Sequence, residues 1–347
     1  MAPLLILDGG LGTTLEREHG VVFTSSDTPL WSSSLLVTDP DTLAACQKSF
    51  GDVPADIILT ATYQVSPEGF QSTRSANFPD GIPRHQIPQF LERAVKNAEN
   101  AAVTAAGDGG AVALSLGPYG ACMIPSQEYS GSYDAEHSSE GSLEKWHAER
   151  LALFSSVTDL SSRLSYVALE TIPRVDEIVA MRKSLSALPG LLGVPFWTSC
   201  LFPGDGYRLP DGSSAESVVK AMLDPSLAEA LPWAVGINCT KVGKLDSLVK
   251  SYEAGVDSMV SEGSVREWPA LVLYPDGTNG QMYDTVTQTW RIPEGSPQDT
   301  QTSWEDQLAA IVKGTRARGK WAAIVVGGCC MAAPGDIKRL RQKLRQE

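Results

Sequence analysis

The stretch AAIVVGGCCMAAP, residues 322–334, contains an apolar run that ends in two glycines and two adjacent cysteines. A continuous apolar run, without polar alternation, predicts a strand that is buried on both faces, as in a parallel sheet. Seven similar runs precede it, so that the eight predicted strands are residues 4–10, 55–62, 110–118, 166–173, 194–202, 234–240, 270–276 and 322–330. The last strand therefore continues a pattern that extends over the whole chain.

Helical patterns lie between these strands, with apolar side chains three and four positions apart. Helices are expected over residues 87–107, 142–164, 176–188, 302–319 and 334–347. Gly107 is the expected C-cap of the first, and Ser142 is the expected N-cap of the second. The last helix carries basic residues near its C-terminus, where the helix dipole favours them.

Strands that alternate with helices along one chain predict an α/β fold, a single (β/α)8 barrel of the TIM type that spans residues 1–347 as one domain. The alternative is an open doubly wound sheet. The sequence DGGLGTTL after the first strand lacks the glycine spacing of a dinucleotide-binding turn, which argues against that alternative. The irregular stretches 63–86, 119–141 and 276–301 each follow a strand, so in a barrel they lie on the catalytic face.

Composition excludes several classes of protein. The formal net charge of −13 argues against a nucleic-acid binder, which needs a basic surface. Apolar runs fall well short of the roughly 20 residues needed to span a membrane, and we expect MAPLLILDGG to be a first strand rather than a signal peptide. The six cysteines are irregularly spaced, unlike a secreted disulfide framework, so a reducing cytoplasmic setting is expected.

Residues at the carboxyl ends of barrel strands usually carry the chemistry. Here those positions hold Asp8, Thr60, Thr62, Glu170, Thr171, Asn238, Cys239, Cys329 and Cys330. Three of the six cysteines thus fall at the same end of the predicted barrel.

The three cysteines suggest a metal site. The sixth and eighth strands are two apart in a closed barrel, so their ends can approach within about 10 Å. Gly327 and Gly328 would free the backbone so that Cys329 and Cys330 turn toward one point. Three thiolates suit zinc and leave a fourth position open, as in catalytic sites. The alternatives are cysteines that pack in the core, or a strained disulfide between the two adjacent residues.

The sequence resembles the homocysteine S-methyltransferase family, the zinc-dependent homocysteine-binding barrels. The motifs that carry the resemblance are LDGGLGTTLE (7–16), PLWSSSLL (29–36), TATYQVSPEGF (60–70), SLGPYGACM (115–123), EYSGSY (128–133), LETIP (169–173), VGINCT (235–240), YPDG (274–277) and GGCC (327–330). They cover nearly the whole chain, and VGINCT together with GGCC is highly specific.

The resemblance implies that Zn2+ is the cofactor, bound by Cys239, Cys329 and Cys330, with the homocysteine sulfur in the fourth position. It implies that Asp8 and Glu170 are the catalytic carboxylates, which hold chiefly the ammonium group of the amino acid. The substrate-binding residues that it implies are Asp8, Gly9, Gly10, Trp31, Tyr129, Glu170, Thr171 and Asn238.

A more specific role is expected for three of these residues. Trp31 and Tyr129 look like donor-side aromatics, whose faces would attract a cationic sulfonium. Asn238 is next to an implied metal ligand in the sequence, and it would orient the site without binding the metal itself. As isolated aromatics, Trp31 and Tyr129 would more often be core residues.

The expected reaction is methyl transfer from S-methylmethionine, or from S-adenosylmethionine, to homocysteine, which gives methionine. The chain has no room for folate and cobalamin domains, and it is compatible with a monomer. Selenocysteine or another thiol is an alternative acceptor, and a non-catalytic zinc- or thiol-binding protein is the alternative from another class. The family more often has Glu at Thr14, Asn at Asp276 and Arg at Met331, which leaves the donor and acceptor preference open.

Overall fold

The computed structural model describes residues 2–24, 28–53, 55–106, 109–186, 188–278, 282–284, 289–291 and 302–345. The predicted C-cap Gly107 lies outside these residues, as does most of the irregular stretch 276–301.

The described residues form ten strands, whose apolar composition was the main sequence signal. They are β1 (Leu4–Ile6), β2 (Ile57–Leu59), β3 (Ala111–Leu116), β4 (Tyr166–Ile172), β5 (Phe196–Cys200), β6 (Ala234–Lys241), β7 (Ala270–Asp276), β8 (Met282–Asp284), β9 (Thr289–Arg291) and β10 (Ile324–Val326). Strands β8 and β9 pair as an antiparallel hairpin. The other eight coincide with the eight predicted strands, and the first of them lies within MAPLLILDGG as expected.

These eight strands form one parallel sheet in the order β1-β10-β7-β6-β5-β4-β3-β2. A parallel bridge between Leu7 and Ile57 joins the two outer strands, and the N–H of Asp8 donates to the carbonyl oxygen of Ile57 at 3.1 Å. The sheet therefore curves into a nearly closed barrel, which confirms the predicted (β/α)8 fold. The open doubly wound alternative was wrong.

Helices cover the outside of the barrel. They are α1 (Leu11–His19), α2 (Leu35–Thr38), α3 (Pro40–Asp52), α4 (Pro67–Ser72), α5 (Ile87–Ala106), α6 (Glu140–Ala152), α7 (Leu160–Arg163), α8 (Val175–Leu185), α9 (Ala215–Leu223), α10 (Leu245–Ser261), α11 (Trp304–Arg318) and α12 (Pro334–Arg345). Within the described ranges, none of them combines the length and apolar character that a membrane crossing requires.

The helix predicted over 142–164 is the one that differs most from the structure. It begins three residues earlier, because Ser139 is the N-cap and Ser142 is the third helical residue, with each side chain bonded to the other's backbone N–H. It also ends early, at Ala152; a short 3₁₀ helix, Leu153–Ser156, follows, and an α-helix resumes only at α7. Asp159 has a φ of +51°, a left-handed conformation that a continuous helix does not allow.

The barrel interior is filled by side chains that alternate with those facing the helices, as the two-residue period of a strand requires. Small residues, Ala113, Ala168, Ala234 and Ala270, leave room for the fully buried ring of Trp197. Tyr274 belongs to the same interior group, and its hydroxyl accepts from the Trp197 ring N–H at 3.2 Å. The site described below lies directly beyond this interior layer.

Candidate active site

A pocket that is partly open to solvent lies where the barrel strands end. Most of the residues predicted for the site line it: Asp8, Gly9, Gly10, Trp31, Tyr129, Glu170, Thr171, Cys239, Cys329 and Cys330. Asn238 is fully buried behind the pocket wall.

The three predicted cysteine ligands meet in this pocket. Their sulfur atoms all lie within 4.8 Å of one another. The structure joins Cys239 and Cys329 as a disulfide with a Cα–Cα distance of 5.5 Å, whereas Cys330 is free. The disulfide considered from the sequence, between Cys329 and Cys330, was the wrong pairing. As free thiols, the three cysteines have the number and proximity of sulfurs that a zinc–thiolate site needs.

The backbone that aims these thiols differs from the prediction. The left-handed residues are Cys239, with a φ of +44°, and Met331, with a φ of +66°. Gly327 and Gly328 do not have positive φ; they are needed for space, since a Cβ atom on Gly328 would lie 2.3 Å from that of Ala332. Strained non-glycine residues are typical of functional sites, where the surrounding structure maintains them.

Gly9 and Gly10, predicted for substrate approach, also allow the first loop to contact the cysteine loop. A Cβ atom on Gly10 would lie 2.5 Å from the carbonyl oxygen of Cys329, and one on Gly9 would lie 2.3 Å from that of Ala332. The hydroxyl of Thr13 accepts from the N–H of Met331 at 2.7 Å. The two loops therefore form one packed unit at the pocket wall.

Asn238 connects two residues that line the pocket. Its amide nitrogen donates to the sulfur of Cys239 at 3.3 Å and to the hydroxyl of Thr171 at 2.7 Å. Its amide oxygen accepts from the N–H of Thr171 at 2.9 Å. Asn238 thus fixes Cys239 and Thr171, although it does not line the pocket itself.

Asp8 lies at the bottom of the pocket with an unused acceptor. One carboxylate oxygen accepts from the N–H of Leu59 at 2.8 Å. The other, Oδ1, is buried and has no hydrogen-bond partner among the described residues. Burial raises the pKa of Asp8 well above its ordinary value, and the nearby charge of Glu170 raises it further. A bound ammonium would satisfy the free oxygen and favour the charged carboxylate.

Glu170 is the second predicted carboxylate, and two side chains that the sequence analysis missed lie against it. The Ser115 hydroxyl donates a hydrogen bond to it, and the Tyr274 hydroxyl lies beside it. Tyr274 is itself bonded to the Ser199 hydroxyl at 2.5 Å. Burial raises the pKa of Glu170 to about 7. Both missed residues lie within quoted motifs, SLGPYGACM and YPDG, at the ends of strands.

Glu128 and Tyr63 also line the pocket and were not predicted. Glu128 is only 8% exposed, and burial raises its pKa to about 7. The ring of Tyr63 lies over Gly117, where a Cβ atom would be 2.5 Å from it. Glu128 begins the motif EYSGSY, so its position next to Tyr129 was the available signal.

Arg150, on α6, is almost fully buried and holds the loops that follow β2 and β3. Its guanidinium donates to the carbonyl oxygens of Val65 at 2.6 Å, Tyr63 at 2.6 Å and Gly117 at 2.6 Å. A longer bond of 3.2 Å reaches the carbonyl oxygen of Thr62. Arg150 therefore sets the backbone from which Tyr63 enters the pocket.

The fold and the site define a barrel protein with a sulfur-rich centre and buried carboxylates at its strand ends. A family model described as homocysteine S-methyltransferase matches residues 5–344, and the chain belongs to the homocysteine S-methyltransferase family. It is accordingly an S-methyltransferase, which leaves the non-catalytic alternative without support.

Similar proteins come from plants and bacteria. Homocysteine S-methyltransferase 4 of Zea mays is 28% identical over 98% of this chain and 89% of its own length. Homocysteine S-methyltransferase YbgG of Bacillus subtilis is 27% identical, over 97% of this chain and 93% of its own.

The solved structures that resemble this one include two forms of a single bacterial enzyme. The metallated form of the homocysteine methyltransferase MmuM from Escherichia coli superposes with a TM-score of 0.67 at 25% identity, over 98% of this chain and 96% of its own. The oxidized form of the same enzyme gives a TM-score of 0.68 at 25% identity, with the same coverage of both chains.

Proposed function

We propose that this protein transfers a methyl group from S-methylmethionine, or less readily from S-adenosylmethionine, to the thiolate of homocysteine, and that it binds Zn2+ through Cys239, Cys329 and Cys330. The observation that carries this proposal is the convergence of three cysteine sulfurs in a pocket that also contains two buried carboxylates. A thiol substrate with an ammonium group complements both features. Thiolate ligands also require the reducing, cytoplasmic setting expected from the sequence.

The donor set fits zinc. Three sulfur ligands from the protein leave one tetrahedral position for a further sulfur, and soft ligands favour zinc over harder cations. When bound, zinc would supply the Lewis acidity that keeps a thiol deprotonated at neutral pH. Asn238 would keep the Cys239 sulfur oriented through its hydrogen bond of 3.3 Å.

Asp8 and Glu170 would hold the other end of homocysteine. Each is buried, and Oδ1 of Asp8 is a free acceptor for an ammonium N–H. The hydrogen bond from Ser115 keeps the Glu170 carboxylate in one orientation. With both ends of the substrate fixed, positioning can contribute about 7 kcal/mol or more to lowering the barrier.

The reaction balances without a further reactant. The homocysteine thiol loses its proton to solvent on binding, and its sulfur forms a new bond to the methyl carbon of the donor. The sulfonium S–CH3 bond breaks, and its electron pair stays on the donor sulfur, which becomes a neutral thioether. With S-methylmethionine as donor, both products are methionine.

The charge of the pocket supports a cationic donor. The described residues that line it include the carboxylates of Asp8, Glu16, Glu128 and Glu170, but no Lys, Arg or His. Trp31 and Phe23 also line it, with ring centroids 5.7 Å apart. Carboxylates and aromatic faces favour a sulfonium and disfavour an anionic donor. The substrates' own carboxylates would then bind backbone N–H groups, such as those in the first turn of α1.

The test is to measure zinc content and methionine formation together, in the reduced protein, with each sulfonium donor. Cys239→Ser is the informative variant, and Cys200→Ala is the matched control because Cys200 is a buried free cysteine on β5 outside the cluster. We expect about one zinc per chain and turnover in the wild type and the control, with both lost in Cys239→Ser.

Other outcomes would change the proposal in defined ways. Zinc without turnover on S-methylmethionine, but with turnover on S-adenosylmethionine, would reverse the donor preference. Full turnover by a zinc-free Cys239→Ser protein would exclude the thiolate mechanism.

A further inference from the structure

Glu128 is a buried carboxylate in the pocket wall that the proposed chemistry at sulfur does not use. Its side chain is 8% exposed and lines the pocket. Its oxygen Oε2 is buried and has no hydrogen-bond partner among the described residues. An unpaired buried carboxylate oxygen costs free energy unless a ligand satisfies it.

Glu128 is distinct from the carboxylate pair assigned to homocysteine. Asp8 follows β1 and Glu170 lies in β4, and the charge of Glu170 acts on Asp8. Glu128 instead lies on the loop after β3. The pocket therefore has a further carboxylate besides the pair proposed for homocysteine, and the proposed reaction brings two amino acids into it.

The loop that carries Glu128 is fixed on both sides. The N–H of Gln127 donates to the carbonyl oxygen of Gly120 at 2.7 Å, and the N–H of Gly131 donates to that of Gln127 at 2.8 Å. Glu177, buried on α8, accepts from the N–H of Tyr119 at 2.6 Å. These bonds hold the carboxylate before any ligand binds, which is the preorganisation that a recognition residue needs.

We infer that Glu128 is the specificity residue for the methyl donor, and that its free oxygen accepts a hydrogen bond from the donor's α-ammonium group. This inference rests on the proposed function, because it requires a donor that is itself an amino acid. S-methylmethionine and S-adenosylmethionine both carry such an ammonium. A simple sulfonium such as dimethylsulfonioacetate has the reactive group but lacks this hydrogen-bond donor.

The positive charge of the sulfonium is expected to contact a different kind of group. Its methyl groups carry no N–H or O–H, so they gain more from aromatic faces than from one carboxylate oxygen. Trp31 and Tyr129 line the same pocket and offer such faces. The division of roles is then that aromatic rings contact the sulfonium and Glu128 binds the ammonium.

The experiment compares the wild type with Glu128→Gln, which keeps the shape but removes the charge. Glu136→Gln is the matched control, because Glu136 lies exposed in the same loop. Calorimetric titration gives the Kd of S-methylmethionine and of dimethylsulfonioacetate for the reduced, zinc-loaded proteins, and kinetics give both KM values. The titration measures binding without turnover, so it tests the role of Glu128 even if the wild type forms no methionine. A wild type that forms no methionine would count against the proposed function, not against the role of Glu128.

In the wild type, dimethylsulfonioacetate should bind at least about tenfold more weakly than S-methylmethionine, since one charge-assisted hydrogen bond is missing. Glu128→Gln should weaken S-methylmethionine binding about tenfold or more and nearly abolish the difference between the two sulfonium compounds. The KM for homocysteine should stay within about twofold.

Three results would overturn the inference. Equal losses for both sulfonium compounds would place Glu128 near the sulfonium rather than the ammonium. A raised homocysteine KM with unchanged donor binding would assign Glu128 to the acceptor. Unchanged binding of every ligand would show that the free oxygen is not used.

Discussion

The hydroxyl oxygen of Thr171 lies 3.8 Å from the sulfur of Cys239, and both residues have left-handed backbones, with φ of +62° and +44°. The strand register shifts at both places, between Leu169 and Ile172 and between Asn238 and Lys241. Such irregularities redirect side chains that a regular strand would point elsewhere. The ends of β4 and β6 are thus bent together toward the sulfur cluster.

Asn238 holds these two bent segments, so its removal should loosen the metal site. Asn238→Ala should lower zinc affinity about 10- to 100-fold. It should also lower the free energy of unfolding by about 1–3 kcal/mol, because the N–H of Thr171 loses its acceptor. Chelator competition and chemical denaturation measure the two effects. Asn77→Ala, at an exposed position, is the control; equal zinc affinity in both variants would contradict the orienting role.

Glu170 should matter mainly for binding homocysteine. Glu170→Gln keeps the shape but removes the charge that would face the ammonium, and it should raise the KM for homocysteine about 10- to 100-fold. The KM for the methyl donor should change little. Steady-state kinetics with each substrate varied in turn provide the comparison, with Glu267→Gln, exposed before β7 at the opposite end of the barrel, as the control. A selective rise in the donor KM would mean that the two carboxylate positions have been assigned the wrong way round.

The buried Glu128 should make stability depend on pH in the ligand-free protein. Its pKa is raised from about 4.5 to about 7, so between these values the folded state retains a proton that the unfolded state has lost. The free energy of unfolding should therefore fall as the pH rises through this window, by about 3 kcal/mol or less. The neighbouring Tyr63 and Tyr129 have pKa values raised above their ordinary value of 10.0 and stay neutral there.

Denaturant unfolding of the wild type and Glu128→Gln, at several pH values from 5 to 8, isolates this contribution. The difference in free energy of unfolding between the two proteins should shift in favour of the variant as the pH rises. A constant difference would show that Glu128 has the same pKa in the folded and unfolded states.

Lysine should not replace Arg150 without a loss of stability, although both side chains carry one positive charge. Four hydrogen bonds to backbone carbonyls use the planar guanidinium, and a single ammonium cannot reach all four acceptors. We expect Arg150→Lys to lower the free energy of unfolding by about 2–4 kcal/mol. Urea denaturation measures this, and Arg84→Lys, at an exposed position, should be neutral. A neutral Arg150→Lys would mean that the loops after β2 and β3 are held by other contacts.

The strands and the cysteine cluster could be predicted because their signals are local. Each buried strand has a continuous apolar run, and a parallel barrel places the residues that end those runs on one face, as it does Asp8, Glu170 and Cys239. The helix over 142–164 was predicted less well, because apolar spacing continues through Asp159 although the backbone there does not. The N-cap was misplaced because two serines three residues apart, Ser139 and Ser142, both have the right chemistry.

The residues that support the site could not be predicted from the sequence. Ser115 and Tyr274 are recognisable only once the barrel brings β3 and β7 to the two sides of Glu170. Glu128 was within a quoted motif, but its burial and its free oxygen depend on how the loop folds back over Gly120.

The sequence by itself determined the barrel, the family and the three cysteines that come together at the strand ends, because periodicity and motif spacing are properties of the chain alone. The tertiary structure decided which cysteines are joined, which backbone positions are strained and which carboxylates are left without a partner. Those features depend on distances between segments far apart in sequence, such as the 90 residues that separate Cys239 from Cys329. Packing sets these distances, and local sequence preferences do not encode them.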